Sequence, residues 1–105
     1  MYVKRRMAVN QLNSASLKRV AEREVSRMSE IIPLVKLKKE EDVGKGAMEV
    51  FEMAKGYLED SRYFLEKGLY LEAFEAAVIC WAYLDSLLRL GFIEIPEDYR
   101  ELFTS

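Results

Sequence analysis

The chain has 105 residues, half of them apolar, with 16 Lys or Arg set against 18 Asp or Glu. That is the length and apolar content of one domain with one core, and it excludes both a disordered polyelectrolyte and a strongly basic nucleic-acid protein. His is absent and Cys80 is the only cysteine, which removes the commonest general base and metal ligand, every Cys/His pairing and any internal disulfide, so the composition points away from enzymes, metals and cofactors.

The opening MYVKRRMAVNQ is basic but has no apolar run behind it and no small-residue cleavage site, so it reads as a basic extension over residues 1–12, not as a secretory signal; a cytoplasmic protein is expected. Residues 13–105 read as a single helical-bundle domain. The first helix is predicted from Ser14 or Ser16 to Ile32, with Leu17, Ala21, Val25, Met28 and Ile32 at helical spacing. Asn13, Ser14 and Ser16 are available as caps, and Pro33 ends it.

A polar connection leads to a second helix, predicted from Asp42 to Lys67. Ala47, Phe51, Ala54, Leu58, Ser61 and Leu65 recur on it at alternating steps of four and three residues, a stripe that faces a core. Lys45, Glu49, Glu52, Lys55, Glu59, Arg62 and Glu66 lie on the other side and read as a solvated face. Gly68 supplies the left-handed backbone that reverses the chain.

The third helix, predicted from Leu69 to Leu90, has 17 apolar residues in 22 and must be covered on most sides. Ala73, Ala77, Cys80 and Leu84 occupy the middle of its apolar sector, with Phe74, Trp81 and Leu88 on one margin and Tyr83 and Leu90 on the other. Its longest uninterrupted apolar run is nine residues, Ala76 to Leu84, far short of the roughly 20 that a membrane span needs. Gly91 ends the helix, and Pro96, Glu97 and Asp98 suit the first turn of a short last helix reaching Phe103. A helical hairpin cannot cover so broad a sector alone, so the first helix must lie across it. The expected fold is all-α: a three-helix bundle, made of an antiparallel helical hairpin plus the N-terminal helix, with a short C-terminal helix.

Four features between Phe51 and Gly91 carry a resemblance: the YLEDSRYFLEKG run ending at Gly68, the Tyr70, Ala73 and Phe74 spacing after it, the Trp81 to Asp85 segment, and the Arg89-Leu90-Gly91 close. Together they resemble the archaeal domain of unknown function 357 family of small helical-bundle proteins. The resemblance covers about 41 residues, Phe51 to Gly91, and extends more loosely over Leu17 to Pro33. It implies a compact archaeal bundle and no particular activity. Each matching position has a structural purpose: Gly68 turns the chain, Tyr70 and Phe74 pack below the turn, and Ala73 and Ala77 admit a neighbouring helix. A weaker likeness, to one tetratricopeptide unit, lacks the repeats that architecture requires.

Asp85, at the margin of the apolar sector, is the leading single candidate for chemistry, set against a pairing with Arg89 four residues on or with an arginine of the first helix. Glu24 lies among Leu17, Val20 and Ile31 on the inward face of the first helix. A site made of Glu24 and Asp85 would be carboxylate-only, so no metal site is expected. Cys80 reads as core, and Trp81 and Tyr83 read as packing more readily than as a ligand platform. No catalytic residue is assigned.

Charge is unevenly spread along the chain. Residues 1–39 hold ten Lys or Arg and three Glu, a net of +7, and residues 40–105 hold six basic and fifteen acidic residues, a net of -9. The arginines of the first helix are expected to dock on the acidic faces of the other two, within one chain or between copies. The leading functional reading is a non-enzymatic interaction module, self-associating or binding another protein, with Val78, Ile79, Ala82 and Asp85 on the binding edge. The alternative is a nucleic-acid-associated accessory protein that anchors phosphates through Lys4, Arg5, Arg6, Arg19, Arg23 and Arg27, with Lys36, Lys38 and Lys39 as a third basic cluster.

Overall fold

A computed structural model describes residues 14–103, apart from the side chains of residues 14 and 40–43. Three helices dominate: α1 (Ser14–Ile31), α2 (Glu40–Glu66) and α3 (Tyr70–Arg89). Between α1 and α2 lie a 3-10 turn (Ile32–Leu34) and a two-residue strand β1 (Lys36–Leu37). After α3 come a second such strand β2 (Ile93–Glu94) and a 3-10 segment (Glu97–Leu102).

α3 is the centre of the molecule. Both α1 and α2 pack along it and touch each other only sparingly. Ala73, Cys80 and Leu84 are fully buried and Ala77 nearly so, so the small residues predicted at mid-sector do let neighbouring helices approach. Burial extends from Ala76 on one margin to Val78 on the other, about 200° of the helix circumference at 100° per residue. α1 presents Ala21, Val25, Met28 and Ile31 to this core, and α2 presents Ala47, Ala54, Leu58 and Ser61. Ser61, an otherwise costly buried hydroxyl, donates to the Leu58 carbonyl at 2.7 Å.

The ends of α2 and α3 are closed in the same way. Leu69 N donates to Phe64 O at 2.9 Å and Gly68 N to Leu65 O at 3.1 Å; Phe92 N donates to Leu87 O at 2.9 Å and Gly91 N to Leu88 O at 3.0 Å. This paired 6→1 and 5→2 bonding needs a left-handed residue, which Gly68 (φ 76) and Gly91 (φ 79) provide. The first of these closures makes α2 and α3 an antiparallel hairpin, as predicted.

A feature the sequence pattern does not disclose fixes α1. β1 and β2 pair antiparallel, with Lys36 opposite Glu94 and Leu37 opposite Ile93, and Lys38 N extends the pairing to Phe92 O at 3.1 Å. This joins the exit of α1 to the exit of α3, so the two helices run parallel. At their other ends Lys18 Nζ lies 5.9 Å from the centroid of the Tyr70 ring.

Three further boundaries differ from expectation. α2 starts at Glu40 and is broken at Gly44 (φ 77, ψ 171), so its first turn is set at an angle to the rest. The last element, Glu97–Leu102, is a 3-10 segment and not an α-helix. Leu90, predicted at a margin of the sector, is 66% exposed, because it lies beyond the last turn of α3 and the chain then turns away at Gly91.

Candidate interaction surface

Two surfaces of α3 are left after α1 and α2 have packed on it. The first is the outward stripe left uncovered by α1 and α2. Leu71, Glu75, Ile79, Ala82, Ser86 and Leu90 follow one another at three- and four-residue steps and so share a face. Leu71 is 41% exposed, and Ile79 and Ala82 are half-buried. On α2, exposed Met53 adds to the apolar surface.

The second is the flank carrying Trp81, Asp85 and Arg89, which are four residues apart. The C-terminal segment lies across it as a strap. Trp81 donates its Nε1–H to the Leu102 carbonyl at 2.8 Å, and its ring stacks on Phe103 with centroids 5.9 Å apart and planes at 11°. Arg89 donates through Nη2 to the Phe103 carbonyl at 3.0 Å and through Nε to Asp85 Oδ2 at 3.0 Å. Phe103 is 1% exposed. Asp85 Oδ1 is buried with no hydrogen-bond partner among the described residues.

Of the predicted binding edge, Ile79 and Ala82 lie on the stripe and Asp85 on the flank, but Val78 does not reach the surface. It is 4% exposed and belongs to the core, because the packed sector of α3 is wider than its polar residues imply. Leu71 shares the face of Ile79 and Ala82, four residues before Glu75 and eight before Ile79. Phe103 could not be placed this way, since its partner Trp81 lies on another element 22 residues back.

Asp85 pairs with Arg89, four residues on, as their spacing allows. Glu24 is 4% exposed and pairs with Arg27 at 3.4 Å. Among the described residues no group of three or more Cys, Asp or Glu could hold a metal ion. Cys80 is buried, and desolvation pushes its thiol from 9.0 up to about 12 against the opposing effect of the Arg62 charge. A thiol so placed is a weak nucleophile. Tyr83 meets Tyr57 of α2 with centroids 5.7 Å apart and is part of the helix packing.

The expected docking of the α1 arginines on acidic faces within the chain is not what the fold does. Arg19 donates to Ser16 at 3.1 Å and Arg27 to Glu24, both on α1, and Arg23 is exposed without an ion pair among the described residues. The reason is geometric: α1 packs on α3 and has little contact with α2. The ladder also sets Glu94 opposite Lys36, so the charge asymmetry of the sequence is partly folded together. Lys4, Arg5 and Arg6 lie outside the described residues. No helix among the described residues is long and apolar enough to cross a membrane.

These features define a small three-helix bundle with a strapped central helix. Residues 18–93 match the model of a family described as "Protein of unknown function (DUF357)", and the chain belongs to that family. It is also similar to protein AF1782 from Archaeoglobus fulgidus, whose crystal structure carries the same family model. The two share 28% sequence identity with a TM-score of 0.65, over 79% of this chain and 97% of that one. No curated protein matches the chain.

Proposed function

We propose that this chain is a non-enzymatic helical interaction module of the cytoplasm that associates with a second copy, or with another protein, through the outward stripe of α3 and the adjoining C-terminal segment. The observation that carries this is the stripe itself: Leu71 at 41% and Leu90 at 66% exposure, with half-buried Ile79 and Ala82 between them. Apolar side chains aligned on one helix face and left uncovered by the bundle are what a partner surface buries. The non-enzymatic assignment is supported by a sequence without His and by a sole thiol held protonated in the core. Light scattering at high micromolar concentration tests the first case. A dimer or larger species is expected, reduced by Ile79→Glu; a strict monomer would remove self-association and leave a different protein partner to be sought by pull-down.

A second reading has one observation in its favour. Arg23 has no ion pair among the described residues, and Lys38 and Lys39 are exposed at the corner following α1, which would suit phosphate groups. Binding to nucleic acid would then weaken steeply with salt and be lost when Arg19, Arg23 and Arg27 become Gln. Unchanged binding in that variant would reject it.

A further inference from the structure

We propose that the groove where the β1–β2 ladder, the exit of α3 and the C-terminal 3-10 segment meet binds a small organic carboxylate that carries an apolar chain. The groove shares no residue with the outward stripe of α3, so this site stands or falls independently of the self-association reading.

The groove has a volume of about 580 Å³, within the range of roughly 300–1,000 Å³ that small-molecule sites occupy. Its walls come from three places in the chain: Leu34 and Lys36 before and within β1, Leu88 on the last turn of α3, and Glu94, Ile95 and Arg100 within and after β2. The ladder sets Lys36 opposite Glu94, so main-chain pairing fixes two of these walls against each other.

Two properties of the walls select the ligand. The first is apolar surface that the fold leaves open: Leu34 is 42% exposed and Leu88 half-buried, beside buried Ile95. An aliphatic chain laid against them removes that surface from water. The second is charge. Lys36 and Arg100 face the groove against Glu94 alone, and Lys36 makes no ion pair among the described residues, not even with Glu94 across the ladder. A carboxylate there meets an ammonium and a guanidinium whose donors match its two oxygens, whereas an ammonium ligand meets two like charges. Inorganic phosphate would satisfy the cations but leave Leu34 and Leu88 uncovered, so the occupant that answers both properties is an amphiphilic carboxylate.

Isothermal titration calorimetry on the full chain with octanoate, octanol, octylammonium and inorganic phosphate tests the site. Octanoate should bind saturably with a dissociation constant below about 1 mM, and about tenfold more tightly than each of the other three. Lys36→Gln combined with Arg100→Gln, both at exposed positions, should weaken octanoate by about tenfold, and Leu34→Asn by about threefold, with circular dichroism verifying that each variant folds. Lys67→Gln removes one positive charge at the opposite end of α3 and should leave the affinity within about twofold. No saturable octanoate binding, or octanol, octylammonium or phosphate binding as tightly as octanoate, would overturn the site. So would octanoate affinity that the Lys36 and Arg100 changes leave unmoved, since the ligand would then sit elsewhere.

Discussion

The Trp81 indole donates to the carbonyl oxygen of Leu102 at 2.8 Å, tying the middle of the central helix to the end of the described chain. One side chain thereby anchors an element that has little regular structure of its own. Trp81→Phe keeps the stack on Phe103 and removes the hydrogen bond, so a loss of about 1 kcal/mol is expected. Phe103→Ala removes a buried ring and should cost about 3 kcal/mol. Urea titrations followed by circular dichroism measure both, and a larger loss for Trp81→Phe than for Phe103→Ala would show that the hydrogen bond contributes more than the ring.

Burial of Cys80 makes alkaline stability a readout of the core. The folded thiol titrates at about 12 against an ordinary 9.0, so above pH 9 the unfolded chain releases this proton while the folded chain keeps it. The group's contribution is complete below pH 9 and is lost as pH rises toward 12, at about 1.4 kcal/mol per pH unit. Cys80→Ala should therefore show a shallower decline over that interval than the wild type. In the native protein at pH 8, a thiol reagent should label Cys80 no faster than global unfolding permits; rapid labelling would contradict its place at the centre of α3.

Arg89 bridges Asp85 and the Phe103 carbonyl, yet its side chain is 59% exposed. Screening by water limits such a pair, and Arg89→Gln should cost no more than about 1 kcal/mol. Asp85→Asn should fall within a similar range, because one carboxylate oxygen has no partner among the described residues. Differential scanning calorimetry reads both changes; a loss several times larger for Asp85→Asn would mark the carboxylate as indispensable to the flank.

Gly68 can be tested without steric interference. A Cβ there would meet only the Tyr70 hydroxyl, at 3.9 Å, but φ is +76. Gly68→Ala should cost about 1 kcal/mol from backbone strain alone. Gly56, inside α2 with open space around its Cβ position, should instead gain about 0.5–1 kcal/mol as Ala. Opposite signs in paired denaturation curves would confirm that conformation, not packing, sets the role of each glycine.

The placement of Ala73, Ala77, Cys80 and Leu84 at the buried centre of α3 was legible from spacing, as was the reversal at Gly68, because helix periodicity and turn geometry are local. Stripes of apolar residues also identified which faces of α1 and α2 turn inward. Val78 was misplaced because a polar margin indicates where a helix touches water, not how far its neighbours wrap around it. The Lys36–Glu94 pairing and the Trp81–Leu102 bond were illegible for a different reason: two-residue strands have no periodicity, and a single side chain binding a distant carbonyl leaves no mark on either segment.

The sequence by itself determined three helices, their inward faces and the sharp return between α2 and α3, since each follows from interactions within a few residues along the chain. Only the tertiary structure decided that α1 runs parallel to α3, that its arginines make no ion pair with the other helices among the described residues, and that the C-terminal segment straps the central one. Those outcomes depend on contacts between elements far apart in the chain, whose geometry exists only once α1 and α2 have packed on α3.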